Sequence, residues 1–270
     1  MSFSISLNGL KNAQTELDTI SNNLANAETT GFKKSTVNFS DLVAGSAYTN
    51  PKLVHGIGST VTAIAQDFST GSMRSTGSAL DLAVNGEGFF TVKSPITGDV
   101  LFTRNGNFSA DSSGYVTDQA DNRVQVLAYN SGAGTYATTP SDLTLPTTNA
   151  NGAAYAGVQI KSDGKVIAAY ADGTTTTVGK IALASFVSTN GLLSVGSQNW
   201  QATGLSGSAS YNEPTTNGMG TLLSGELESS NVDMATEMVS LITAQRFFQA
   251  NAKAIDTSTQ IADAVINLRS

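Results

Sequence analysis

The sequence predicts an α+β chain that is mainly β, in which an all-β core is flanked by N- and C-terminal α-helices that pair in the manner of a coiled coil. Three observations predict it. At the start, Phe3, Leu10, Leu17 and Leu24 recur every seven positions with Ala13, Ile20 and Ala27 between them, the spacing of a coiled-coil seam. At the end, Met238, Leu241, Phe248, Ala252, Ile255, Ala262 and Ile266 repeat the alternating three-and-four spacing, interrupted by Gln245 and Thr259. Between the two ends, short runs of alternating hydrophobicity are punctuated by Gly-containing turns.

The first helix is expected from Ser2 to about Ala27, its polar face built from Asn12, Thr15, Thr19, Asn22, Asn23 and Asn26. These are mediocre helix formers, so the helix is marginal alone. Thr29-Thr30-Gly31 stops it, with Gly31 suited to a left-handed turn. Residues 32–78 read as an extended linker, because Asn50-Pro51 and Gly56-Ile57-Gly58 break it and only 60–64 alternate. The β-rich outer domain then covers 79–228, with at most a small insertion near 130–178. Its strands are expected at 80–84, 89–92, 100–103, 124–129, 143–145, 158–161, 166–170, 175–178, 181–187 and 222–227, separated by turns such as Asn85-Gly86, Asp163-Gly164 and Asp172-Gly173. Ser229 or Ser230 is the expected cap of a helix from about Val232 to Leu268, with Asp233 and Glu237 near its positive end. Residues 1–31 and 229–270 thus form one discontinuous helical domain.

Composition narrows the function. With 40% hydrophobic residues the chain can bury a sizeable core. A net charge of −7, with Lys33-Lys34 as its basic pair, disfavours nucleic acid. The chain has no cysteine, hence no disulfide or thiolate metal site. No apolar run reaches the roughly 18 residues of a transmembrane helix, so no membrane insertion is expected. Ser4, Ser6, Asn8, Lys11 and Asn12 interrupt the N-terminal hydrophobics, so any export proceeds without a cleaved signal peptide.

The search for chemistry assigns no catalytic, cofactor or metal residue. His55, the single histidine, has Val54 and Gly56 beside it and no orienting carboxylate indicated by the sequence. Gly86-Glu87-Gly88 leads into a strand, whereas a phosphate site needs a helix N-terminus. Asp111 to Gly114 and Asp118 to Asp121 lack the ligand order of an EF-hand and read as turns. The two seams can be satisfied within one molecule, by each other or by the core, or between molecules. Their small uncharged polar faces permit close contact with further chains and favour the second.

Several ordered segments resemble the flagellar axial proteins, the rod and hook components of the bacterial flagellum. Ser21-Asn22-Asn23-Leu24-Ala25-Asn26 with Thr30-Gly31-Phe32-Lys33 is similar to their N-terminal signature. Ala79-Leu80-Asp81-Leu82-Ala83-Val84-Asn85-Gly86-Glu87-Gly88-Phe89-Phe90, Thr103-Arg104-Asn105-Gly106-Asn107-Phe108, Ser229-Ser230-Asn231-Val232-Asp233 and Thr243-Ala244-Gln245-Arg246 continue the match. Within the family, Met1-Ser2-Phe3-Ser4, Gln66-Asp67-Phe68-Ser69-Thr70-Gly71 and Ala244-Gln245-Arg246-Phe247-Phe248-Gln249-Ala250-Asn251 look most like a hook subunit, in a short form because 129–180 leaves little room for an extra outer domain. A distal rod subunit of the basal body is the alternative, and a secreted β-rich adhesin or enzyme the distant one.

The resemblance implies a non-enzymatic subunit that is exported through the flagellar type III apparatus and polymerises into a hollow helical tube. The terminal helices would form the inner tube and the β domain would lie outside. A hook of this kind is an extracellular universal joint passing motor torque to the filament; a rod subunit is periplasmic. The implied partners are the chain itself, the distal rod and hook–filament junction proteins, the hook cap and the export apparatus.

Overall fold

The computed structural model describes residues 2–44, 55–130, 132 and 134–267. Two compact units emerge, and the chain crosses between them four times. Unit 1 comprises Met1–Ala27, Lys34–Asp67 and Val232–Ser270; unit 2 comprises Glu28–Lys33 and Phe68–Asn231.

In unit 1, helix α1 (Ser2–Ala25) lies antiparallel to helix α2 (Met234–Asn267). Gly9 fits against Asn251, and Asn23 reaches Glu237. The seams of the two ends therefore meet each other within one chain. The cap of α2 is Asp233, not Ser229 or Ser230: its carboxylate accepts the Thr236 N–H at 2.7 Å and its carbonyl accepts the Glu237 N–H at 2.9 Å. The serines are too early because the Ser229 N–H is still committed to the Ser72 carbonyl.

The segment expected as linker holds a long antiparallel hairpin of β1 (Ser35–Ala44) and β2 (His55–Gln66). Register shifts at Asn38/Phe39 and Leu42/Val43 explain why the sequence hides it. Each bulge inserts a residue and reverses which side chains face in, so the period-two pattern is scrambled. The backbone of His55 pairs with Ala44; the Asn50-Pro51 turn signal lies outside the described residues. Asn12 of α1 donates to the backbone and hydroxyl oxygens of Ser59 at 2.9 and 2.8 Å, fastening hairpin to helix.

Unit 2 is built on an antiparallel sheet. After β3 (Met73–Ser75) come β4 (Leu82–Asn85), β5 (Phe89–Lys93) and β6 (Val100–Thr103). The sheet runs through Tyr155–Ile160, Lys165–Tyr170, Thr175–Ile181, Arg123–Asn130, β5, β6, Asn199–Gln201 and Leu193–Gly196. Most of the strands expected near 130–178 thus extend the main sheet. The expected strand at 143–145 reduces to Ser141–Asp142 and an isolated bridge between Thr144 and Tyr115. The expected strand 222–227 is two, Thr221–Ser224 on β4 and Glu226–Glu228 on β3. They break at Gly225, whose φ of 80° is a glycine conformation.

Alternate residues of these strands fill one core, including Leu82, Val84, Phe90, Val92, Val124, Val166, Ile181 and Leu222. Phe89, Phe102, Ala184 and Trp200 form a second, with Phe68 and Phe186 edge-on against it. The edge-to-face arrangement suits the ring quadrupoles.

Candidate assembly surface

The helix pair covers its seam unevenly. In α1, Ala13 and Ile20 are buried, Leu10, Leu17 and Leu24 are half-buried, and Phe3 is exposed. In α2, Ala244 is buried and Leu241, Phe248, Ala252 and Ile255 are half-buried, while Met238, Ala262 and Ile266 are exposed. Length explains part of this, since α2 has 34 residues against 24 in α1. A second apolar strip, Met234, Met238, Val239 and Ile242, is exposed on α2, and Phe39, Leu42 and Ile64 are exposed on the hairpin. Scattered exposed apolar residues are ordinary, and their number on unit 1 makes it the candidate for an interaction surface.

The motif residues mostly serve backbone geometry. Asn23 is buried and clamps Ser35 at both backbone atoms, donating to its carbonyl at 2.8 Å and accepting its N–H at 2.9 Å. Asn26 bonds back to the Asn22 carbonyl, and the Phe32 N–H to the Thr29 carbonyl. Gly31, at φ 70°, sits so close to Asn105 that a Cβ would lie 2.6 Å from its nitrogen. Asn85 pairs with Thr221 at the end of β4. Gly86 and Gly88 also take positive φ, with Gly220 and Met219 against them, and Phe89 and Phe90 enter the two cores. Asn231 donates to the Ser69 carbonyl, and Val232 follows it half-buried. Gln245 and Arg246 are exposed on α2.

A buried ion cluster and a partly buried ion pair were not foreseen. In unit 2, Glu228 is fully buried and accepts Lys33 Nζ at 2.6 Å and the Gly71 N–H at 2.9 Å on Oε1. Arg104 Nη1 stands 3.6 Å from Oε2, and its guanidinium also donates to the Val84 and Gly86 carbonyls. Burial holds the Arg104 pKa below its ordinary value, opposed by Glu228 and Glu87. In unit 1, Lys34 pairs with Glu237, itself buried. Consecutive lysines are thus each matched to a glutamate from the far end of the chain. The one sequence signal was the Lys33-Lys34 pair in a chain with few cations.

The aspartate loops are turns. Asp111 Oδ1 accepts the Ser113 and Tyr115 N–H groups, and Asp118 Oδ1 those of Ala120 and Asn122. Among the described residues no group of three or more His, Cys, Asp or Glu could hold a metal ion, and no helix is long and apolar enough to cross a membrane. In unit 2 a cleft of about 630 Å³ is lined by Phe68, Phe89, Phe186, Glu87 and Arg104, the guanidinium 5.1 Å from the Phe89 ring centroid.

Comparison with known proteins explains this organisation. Residues 3–33 match the family described as flagella basal body rod protein, 83–168 the flagellar hook protein FlgE/F/G D1 domain, and 223–268 the flagellar basal body rod FlgEFG protein C-terminal region. A flagellar basal-body rod protein FlgG of Bacillus subtilis is 39% identical over 276 residues, covering 97% of each chain. The chain belongs to the flagellar rod and hook family. It is a structural family rather than an enzyme family, its place is the bacterial flagellum, and its members polymerise with themselves and meet other axial proteins.

The expectation of a hook subunit is overturned by the same comparison. The flagellar basal-body rod protein FlgG of Caulobacter vibrioides is 34% identical over 274 residues, 97% of each chain. The flagellar hook protein FlgE of Escherichia coli is 27% identical, and its alignment stretches to 410 positions to cover both chains. This family member therefore aligns almost without interruption to rod proteins, whereas the hook protein carries long stretches that it lacks. The hook-like segments at 1–4, 66–71 and 244–251 are outweighed by this match along the whole chain.

Proposed function

We propose that the chain is a subunit of the distal rod of the flagellar basal body, a non-catalytic part that polymerises into a straight-through hollow tube. The observation that carries this reading is the nearly uninterrupted alignment with basal-body rod proteins over 97% of both chains. Unit 1 supplies the assembly contacts. The seam residues Phe3, Leu10, Leu17, Ile20, Leu24, Met238, Leu241, Phe248, Ile255, Ala262 and Ile266 act in two ways: the buried and half-buried ones hold α1 to α2, and the exposed ones meet neighbouring subunits. Unit 2 is the outer domain. Contacts that do not close a ring give an open helical polymer.

Export through the flagellar apparatus without signal cleavage belongs to this reading, as do contacts with the axial proteins above and below. The test is deletion of the gene in its own motile bacterium, followed by electron microscopy of isolated basal bodies. Rods that stop short and carry no hook are expected. Complete rods carrying shortened hooks would refute the rod assignment.

A further inference from the structure

Arg104 in unit 2 is a buried cation whose needs are incompletely met. It is 3% exposed. Its Nη atoms donate to the Val84 and Gly86 carbonyls at 3.4 and 2.9 Å, but its Nε has no hydrogen-bond partner among the described residues. The Glu228 carboxylate is shared. Its Oε1 is taken by Lys33 at 2.6 Å and by the Gly71 N–H at 2.9 Å, which leaves Arg104 with Oε2 at 3.6 Å, beyond hydrogen-bond length. Two buried cations thus divide one buried carboxylate, and the effect of burial on Arg104 outweighs the attraction of Glu228 and Glu87.

The cleft of about 630 Å³ reaches this cation. Its volume is that of a ligand site, roughly 300–1,000 Å³, and Phe68, Phe89 and Phe186 give it an apolar wall. Arg104 and Glu87 are the charged residues that line it. Glu87 is exposed, and among the described residues its carboxylate has no hydrogen-bond or ion-pair partner; it attracts Arg104 from a distance. The apolar lining runs out onto the surface at Val187, which is 95% exposed. Leu205, 84% exposed, lies in the adjoining loop, where the Ser188 N–H meets the Ser206 carbonyl at 3.3 Å. From 181 to 212 the chain carries no Asp, Glu, Lys or Arg. A ligand suited to this site therefore has an aromatic group for the phenylalanines, a carboxylate for Arg104 and enough length to cross Val187.

We propose that the cleft receives an acidic peptide segment of a partner protein, its aromatic side chain among Phe68, Phe89 and Phe186 and its neighbouring Asp or Glu carboxylate against Arg104. Charge complementarity selects this occupant. The incoming carboxylate supplies the negative charge that Lys33 draws away from Arg104, in a site where a low dielectric strengthens the pairing. An added ring joins a cluster whose members already meet edge to face, Phe68 with Phe89 at 5.3 Å and Phe89 with Phe186 at 5.8 Å between centroids. Glu87 is the internal competitor, since it opposes a second carboxylate by like charge. Every lining residue belongs to unit 2, so the rod reading does not depend on this contact.

The probe is acetyl-Phe-Glu-Ser-amide, added to the dilute, isotope-labelled full chain and followed by amide NMR. Saturable shifts confined to Gly86 to Phe89, Arg104 and Ser185 to Thr189 are expected, with the Phe-Gln-Ser counterpart at least about ten-fold weaker. Glu87→Gln should tighten binding roughly three-fold or more, and Val187→Asp should weaken it about ten-fold, with the Trp200 unfolding transition unchanged in both. Absence of saturable shifts, equal binding of the Gln peptide, or a Glu87→Gln chain that binds more weakly would overturn the proposal. So would phenylpropionate binding as tightly as the peptide, which marks a small-molecule site, and cleft shifts that grow with the concentration of the chain alone, which mark a second copy as the occupant.

Discussion

Replacing Glu228 with alanine strands two buried cations and one amide at once. Lys33 loses its 2.6 Å partner, Arg104 loses the carboxylate 3.6 Å away, and the Gly71 N–H loses its acceptor. Removing one member of a buried ion pair costs about 3–5 kcal/mol, and an orphaned buried amide adds about 1 kcal/mol or more. A total on the order of 5 kcal/mol is a large share of the roughly 5–15 kcal/mol that stabilises a typical domain. It corresponds to a fall in Tm of about 10–20 °C for a unit of this size. The assay is urea and thermal unfolding followed by Trp200, the single tryptophan, which is buried in the same unit. Glu228→Gln keeps the acceptor and the shape and should lose about half as much. Replacing Lys33 and Arg104 by Met together with Glu228→Leu should recover most of the stability, because apolar groups of similar size avoid the desolvation of three charges. A Glu228→Ala chain that unfolds within about 1 kcal/mol of the original would refute the view that this cluster joins the ends of unit 2.

Further outcomes are expected elsewhere. Gly106→Ala places a Cβ 1.7 Å from the Leu82 carbonyl oxygen and should destabilise unit 2 by about 1–3 kcal/mol or more, visible in the same unfolding curves; an unchanged midpoint would contradict that close approach. Ile20→Ala, at a buried seam position, should cost about 2–4 kcal/mol and speed amide exchange in α1 and α2, and unaltered protection would count against the helix pairing. Asp233 is held below the ordinary carboxylate value because it accepts the Thr236 N–H. Its folded pKa is depressed, so its stabilisation of α2 is present above the unfolded value near about 4 and is lost as pH falls through the folded value. An NMR titration should show the Asp233 carboxyl changing late, with the first turn of α2 loosening alongside, and Asp233→Asn should remove the pH dependence while keeping the cap. An Asp233 that titrates at or above the ordinary value would refute this.

What was legible in the sequence depended on how local its cause is. The two helices follow from periodicity within a single element, and their ends fell within about two residues of expectation, in keeping with the usual fraying of boundaries. The strands around Asn85-Gly86, Asp163-Gly164 and Asp172-Gly173 were readable because glycine at a turn announces itself. The hairpin was not, since two bulges interrupt the alternation that would reveal it. The Lys33, Arg104 and Glu228 cluster was invisible because it joins positions separated by 195 residues, and no local pattern records a partner that distant. Hook and rod were confused for a related reason. The segments that favoured the hook, Met1 to Ser4, Gln66 to Gly71 and Ala244 to Asn251, are short and local, whereas what separates rod from hook is a match along the whole chain.

The four chain crossings between the units carry a consequence for damage. A protease that cuts one crossing, such as the bond between Asp67 and Phe68, leaves three intact, and complete separation of the units requires four cuts. After the cut between Asp67 and Phe68 each fragment still contains pieces of both units, held together by the helix pair in unit 1 and the Lys33–Glu228 ion pair in unit 2. Tension passed from one unit to the other is divided among four peptide strands. A subunit threaded in this way survives a broken bond that would sever two domains joined by a single linker.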